Sequence, residues 1–305
     1  MTITVEEFNV PSSDRVHTLK GKVYVPEGEI KGLFQIVHGM TEYIDRYDLF
    51  MQKIAARGYI CFGFNNLGHG TTAKNDSELG FIAPENGYRY LIEDVNRFYY
   101  AVYKKYPVKK YILMGHSMGS FIARLSAEKH SEDVDTLIIC GTGGPQIAAP
   151  IGYGLAAIIK KIYGEKHYSK LLDKLIFGAY NSGFEGLSKY DWLTKDREII
   201  EKYQQDKYCT FRFTVSAIKD LLMLTILSNR SAWFKNLSKN LPVLLISGTD
   251  DPVGGYSKGV KTVFKLLRQA EILNVNLFLY ENCRHEILND SCKEEVFNDI
   301  IGFLE

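Results

Sequence analysis

The sequence predicts an α/β fold: a doubly wound, mostly parallel sheet with a helical cap inserted before its last two strands. Three observations predict it. Short apolar, β-branched runs alternate with helical stretches from residue 32 to residue 140. From residue 145 to about 238 the helical patterning continues without a clear strand. Alternation then resumes with PVLLIS (242–247) and VNLFLY (275–280). Strands linked through helices pair in parallel with both faces covered, and right-handed crossovers wind the sheet in both directions.

Each element has its own signal. Residues 1–31 read as short strands with turns, and Lys20-Gly21-Lys22 is a point where the chain is expected to bend. GLFQIV (32–37) is a buried strand, and RYDLFMQKIAARG (46–58) is a helix closed by Gly58. YICFGF (59–64) is the next strand. Over 88–106, Leu91, Val95, Phe98 and Val102 share one helical face, and Pro107 ends that helix. KYILM (110–114) and DTLIIC (135–140) are strands around a helix at 120–130. Beyond the insertion, 257–270 is helical, and Val296, Ile300 and Leu304 stripe a terminal helix. The expected division is a core of 1–144 and 239–305 with a cap of 145–238, placed over the carboxyl edge where such sheets bind ligands.

Composition narrows the function. The chain has 305 residues, 46% hydrophobic, with 37 basic and 36 acidic side chains and a net charge of +1. A large core is available, and the charge balance gives no basis for a nucleic-acid partner. The five cysteines (Cys61, Cys140, Cys209, Cys283, Cys292) are odd in number and lack C-x-x-C spacing. They predict neither a zinc site nor a disulfide framework, and they fit a reducing cytosol. MTITVEEFNV lacks the basic and apolar regions of a signal peptide, and no apolar run reaches the roughly 18 residues of a membrane span. A soluble, cytoplasmic protein is expected.

The chemistry centres on Gly115-His116-Ser117-Met118-Gly119, which fits G-x-S-x-G between a strand and a helix. So tight a turn leaves no room for side chains two residues either side of the serine, and it exposes Ser117 as a candidate nucleophile. A purely structural tight turn is the competing reading. Seven histidines compete to be its base. Only His285, in ENCRHEIL, falls in a loop directly after the last strand, where this chain order expects it. The orienting acid should lie in SGTDDPVGG, with Asp251, directly before Pro252, favoured over Asp250. An oxyanion hole needs two fixed N–H donors. Met118 supplies one, and Met40, in the loop His38-Gly39-Met40-Thr41-Glu42, is expected to supply the other.

These segments, with NNLGHG (65–70), GTDDPVG and RHEIL, resemble the monoacylglycerol lipase and lysophospholipase-like group of α/β-hydrolases, also termed serine aminopeptidase-like. The resemblance runs in order along nearly the whole chain, the cap being matched by position alone. It implies Ser117, Asp251 and His285 as a catalytic triad, with the N–H groups of Met40 and Met118 as the oxyanion hole. The family commonly carries Asp ahead of its Gly-His-Gly turn, where this chain has Asn65-Asn66; His69 belongs to that turn and reads as structural.

The expected reaction is ester hydrolysis through an acyl-enzyme, with no metal or organic cofactor signalled. LLMLTIL (221–227) and IGYGLAAII (151–159) are apolar over more than one helix face. They read either as cap packed on core, or as an acyl pocket with transient contact to lipid surfaces. The second reading favours a single-chain lipid ester. A short-chain carboxylesterase is the alternative. A serine aminopeptidase would need cap carboxylates such as Glu165, Asp173, Glu185 or Asp191 to hold an amino group. A non-catalytic binding protein is the remaining class.

Overall fold

The computed structural model describes residues 2–184 and 186–305. Its strands are β1 (Ile3–Pro11), β2 (Thr18–Pro26), β3 (Gly32–Val37), β4 (Tyr59–Phe64), β5 (Tyr111–His116), β6 (Thr136–Cys140), β7 (Val243–Gly248) and β8 (Val275–Tyr280). They form one sheet in the order β1-β2-β4-β3-β5-β6-β7-β8. The hairpin β1–β2 runs antiparallel onto β4, and every pairing from β4 across to β8 is parallel. This is the doubly wound, mostly parallel sheet that the alternation predicts.

β3 to β7 are buried throughout, and successive side chains enter opposite faces with a period of two. Leu33, Leu113, Leu137 and Leu245 enter one core cluster. Phe34, Ile112, Ile138 and Leu244, one residue away, enter the other. The first cluster receives α2 (Gly87–Lys105) and α3 (Met118–Lys129), and the second receives α1 (Asp48–Ala55). The predicted stripe Leu91, Val95, Phe98 and Val102 is buried as a unit.

Gly21 corrects one local reading. β2 continues through it without a bend. A Cβ there would strike the Gly63 carbonyl and lie 2.6 Å from the Phe98 ring. Glycine is needed at this position because α2 presses its aromatic side chain onto the strand.

Between β6 and β7 lie α4 (Ala148–Tyr163), α5 (Lys170–Phe177), α6 (Arg197–Gln205), α7 (Val215–Ser228) and α8 (Ser231–Asn236). α9 (Lys258–Gln269) and α10 (Lys293–Leu304) complete the two faces of the sheet. α7 packs on α2 and α3 as well as on α4, so most of its surface is buried. Among the described residues, no helix is long and apolar enough to cross a membrane.

That packing buries Asp220 on α7. Its side chain faces Gly87 and accepts the Tyr88 N–H, while Oδ2 has no partner among the described residues. Burial pushes its carboxyl up to about 7. The folded protein therefore holds a proton that the unfolded chain has released, and stability falls as pH rises through that window. Asp220→Asn is expected to raise Tm at pH 8 by several degrees, on the order of 2 kcal/mol, and to change nothing near pH 4. Thermal melts at the two pH values decide it.

The cysteine expectation fails at one pair. Cys283 and Cys292 are joined as a disulfide across the loop between β8 and α10. The C-x8-C spacing matches no short motif, and only the fold of that loop brings the sulfurs together. Cys61, Cys140 and Cys209 are free and buried.

Candidate active site

The sheet order positions the site before any side chain does. β4 lies on one side of β3 and β5 on the other, so the winding reverses between β3 and β5. Loops leaving their carboxyl ends diverge there and open a crevice. The β3 loop carries His38 to Glu42, and the β5 turn carries Ser117.

Ser117 has φ 54° and ψ −122°, a left-handed backbone that non-glycine residues avoid. Such strain costs of order 1–3 kcal/mol and persists where its surroundings fix it. Here the Ser117 N–H donates to the Cys140 carbonyl (3.0 Å), and its own carbonyl accepts the Ser120 N–H (2.9 Å) and hydroxyl (2.6 Å). The flanking glycines are required sterically. A Cβ on Gly119 would strike the Val37 carbonyl, and one on Gly115 would strike the Gly119 carbonyl. α3 starts at Met118, so its first N–H groups, which lack intrahelical carbonyls, surround the serine.

His285 leaves β8 into the same crevice and is almost fully buried. Its Nδ1 lies 3.0 Å from Oδ1 of Asp251. That oxygen also accepts the Val253 N–H (2.8 Å). Burial alone would push the Asp251 carboxyl up, but the His285 charge and these hydrogen bonds more than offset it and hold it below the usual range. Asp250 points elsewhere, towards the Lys195 ammonium at 3.9 Å.

Met40 and Met118 line the crevice beside Ser117 and His285. Gly39 approaches so closely that a Cβ there would sit 2.9 Å from that of Ser117. The Gly39 N–H donates to the Glu42 carboxylate. His38 Nε2 accepts the Asn66 N–H (2.9 Å), and Asn65 Oδ1 accepts the Ile44 N–H (2.8 Å). Asn65 and Asn66 thus brace the loop. His69 is buried against His38, with rings 5.1 Å apart, and burial pushes it down to about 3, so it is neutral and structural.

Several residues here escape sequence reading. Glu42 accepts hydrogen bonds from Tyr47 (3.0 Å) and His116 (3.0 Å), and Arg46 forks onto Glu286 with two 2.7 Å contacts while reaching Glu42 at 3.2 Å. Burial disfavours a charged His116, but Glu42 outweighs it and raises its pKa. Glu42, His116 and Glu286 fall inside the quoted segments, but nothing in the sequence signals that they meet, because the three segments are joined only by tertiary contact. Trp192 is the other omission, its ring lying 5.1 Å from that of His285.

The crevice widens into an open cleft, about 760 Å³ of empty space with its solvent-filled mouth included. Phe121, Ile176, Phe177, Leu221, Leu222 and Val253 form its apolar wall. The 221–227 stretch therefore divides. Leu221, Leu222 and Thr225 face the cleft, whereas Leu224 is wholly buried in the core beneath. A helix with two apolar faces serves both packing and lining.

Comparison with known proteins agrees with this architecture. The family model for serine aminopeptidase, S33, matches residues 28–292. The monoacylglycerol lipase of Mycolicibacterium smegmatis is 21% identical over 285 residues, covering 92% of this chain and 91% of that protein. The monoglyceride lipase of Rattus norvegicus is 22% identical over 303 residues, covering 96% and 89%. Among solved structures, a carboxyl esterase from Bacillus coagulans in complex with glycerol superposes with a TM-score of 0.92 at 27% identity, covering 99% of this chain and 98% of that one. A monoglyceride lipase variant from Saccharomyces cerevisiae gives 0.76 at 19% identity, covering 100% and 96%.

Proposed function

We propose a carboxylic ester hydrolase acting on single-chain lipid esters, of monoacylglycerol or lysophospholipid type, for this chain, which belongs to the serine aminopeptidase S33 family. One observation carries the reading: a strained serine opens onto an apolar cleft beside a histidine whose far nitrogen meets a buried carboxylate. The named activities of the lipase and esterase relatives support it.

In this mechanism Ser117 Oγ attacks the ester carbonyl while His285 Nε2 takes its proton. Asp251 steadies the resulting imidazolium. The N–H groups of Met40 and Met118 receive the oxyanion, and the alcohol departs with the proton returned by His285. Water, activated by the same imidazole, then releases the acid and frees Ser117. The apolar wall would hold the acyl chain.

An aminopeptidase would need a carboxylate free to grip an amino group, and among the described residues the two glutamates that line the cleft and two of the cap aspartates are engaged. Glu42 and Glu286 share Arg46, Asp191 pairs with Arg197, and Asp173 pairs with Arg212. Glu185 lies outside the described residues.

Acyl length tests the substrate class. Each methylene buried on the apolar wall contributes about 0.8 kcal/mol, so octanoyl esters are expected to exceed acetyl esters by tens of fold in kcat/KM. Leu222→Ala should cut that ratio roughly tenfold while sparing the acetyl ester. Leu224→Ala should instead lower Tm, at a cost of about 2–5 kcal/mol, and leave the ratio alone. A flat profile in the unaltered protein would return the reading to a short-chain carboxylesterase.

A further inference from the structure

The inserted segment 191–194 is tied to the loop that carries His285, backbone to backbone. The His285 N–H donates to the Trp192 carbonyl (3.3 Å), and the Glu286 N–H donates to the Leu193 carbonyl (2.7 Å). Arg284 sends its guanidinium to the carbonyls of Asp191 (2.6 Å) and Thr194 (3.2 Å). In return the Thr194 hydroxyl donates to the Asn289 carbonyl (2.9 Å). The segment is itself braced. The Asp191 carboxylate, fully buried, accepts the Leu187 and Ser188 N–H groups as well as Arg197, and the Trp192 N–H donates to Asn181 Oδ1 (3.1 Å).

Trp192 adds its side chain to this tether. Its indole centroid is 5.1 Å from the His285 imidazole at an interplanar angle of 35°, and Tyr180 backs it at 5.2 Å. Among the described residues the His116 ring is the other aromatic neighbour of the imidazole, at 4.7 Å. The remaining charged groups near His285 are Asp251 on Nδ1 and, alongside His116, the Glu42–Arg46–Glu286 set.

A base must aim as well as titrate. The Asp251 hydrogen bond fixes one atom of the ring and leaves rotation about that contact open. Flat neighbours resist that rotation, and a misplacement of about 1 Å in a reacting group costs on the order of 100-fold in rate. We infer that Trp192 is a positioning residue for His285, its carbonyl holding the base loop and its indole face holding the plane of the imidazole. The turn between α5 and α6 then belongs to the catalytic geometry on this side, and the acyl cleft and the base share a wall, because Trp192 also lines the cleft. The kinetic consequence rests on the ester-hydrolase reading; the spectroscopic one does not.

The chain has two tryptophans. Trp233 packs on Arg124 and Phe234, so the emission lost in Trp192→Phe reports the indole beside His285. A protonated imidazole quenches an adjacent excited indole, and a neutral one does not. The difference in emission between the unaltered protein and Trp192→Phe is therefore expected to rise with pH in one step. That step should coincide with the rise in kcat/KM for an acetyl ester and vanish in His285→Gln. With the same ester, which does not fill the acyl wall, Trp192→Ala should lower kcat by about 10- to 100-fold with KM within about threefold. Trp192→Phe should restore kcat to within a few fold. An emission difference with no pH-dependent step that His285→Gln removes, or a Trp192→Ala kcat within about twofold of the unaltered protein, would overturn the inference. Absence of any ester hydrolysis in the unaltered protein would overturn the functional reading instead, and the emission step would still decide Trp192.

Discussion

Ser117→Ala is expected to abolish ester hydrolysis, with a loss in kcat on the order of 10⁴-fold or more, and to leave the fold intact. The loss follows from the chemistry: without Oγ no acyl-enzyme forms, and only binding and the oxyanion donors remain. The preserved fold follows from the backbone. Alanine at φ 54° bears the same strain as serine, and the bonds that fix this turn run through the Ser117 N–H and carbonyl, not its hydroxyl. Tm should therefore move by no more than about 2 °C. Ser117→Gly is the informative companion. It should be equally inactive yet more stable by about 1 kcal/mol, because glycine accepts this conformation without cost. A fluorophosphonate probe should label the unaltered protein and neither variant. Labelling that survives in Ser117→Ala would mean a different nucleophile and would sink the mechanism.

Ser117 was legible in the sequence because its constraint is local. Glycine at 115 and 119 is demanded by contacts within one strand–turn–helix unit, and a five-residue pattern records them. The central strands were legible for the same reason, since the apolar runs of β3 to β7 are buried on both faces and carry their own signal. β5 nevertheless runs two residues past the expected end, to His116, because the tight turn takes its first residue from the sheet. The acid was half legible: SGTDDPVGG offered two carboxylates, and only the path of the loop decides which one meets His285. Glu42 and Arg46, four residues apart, and Glu286, far along the chain, were illegible as a set because only the fold brings Glu286 to Arg46. The same holds for the Cys283–Cys292 pair and for Trp192. Leu224 shows the limit of composition: an apolar helix does not announce which of its faces meets the core and which meets the cleft.

Asp251→Asn should cost on the order of 10²-fold or more in kcat through the lost counter-charge, and Asp250→Asn less than about threefold. The two changes are chemically identical, so the contrast isolates position. Asp250 faces Lys195 at the surface, where losing a charge matters little. Asp251 is wholly buried, and its Oδ1 accepts both His285 Nδ1 and the Val253 N–H. That second donor dictates how an asparagine would sit. Its amide oxygen must face Val253, since its NH₂ would oppose an N–H, so the imidazole keeps a partner and its tautomer. What disappears is the negative charge that steadies the imidazolium formed during attack. The rate of Asp251→Asn should accordingly begin its rise at lower pH than that of the unaltered protein, because an imidazolium without its counter-charge releases its proton more readily. Stability supplies an independent check. The folded Asp251 carboxyl is held below its ordinary range, so its contribution is present above that range and lost as pH falls through the folded value. The Tm difference between Asp251→Asn and the unaltered protein should therefore be full at pH 7 and shrink at strongly acid pH. Equal, mild losses from both substitutions, with unshifted pH profiles, would place the orienting acid outside this loop.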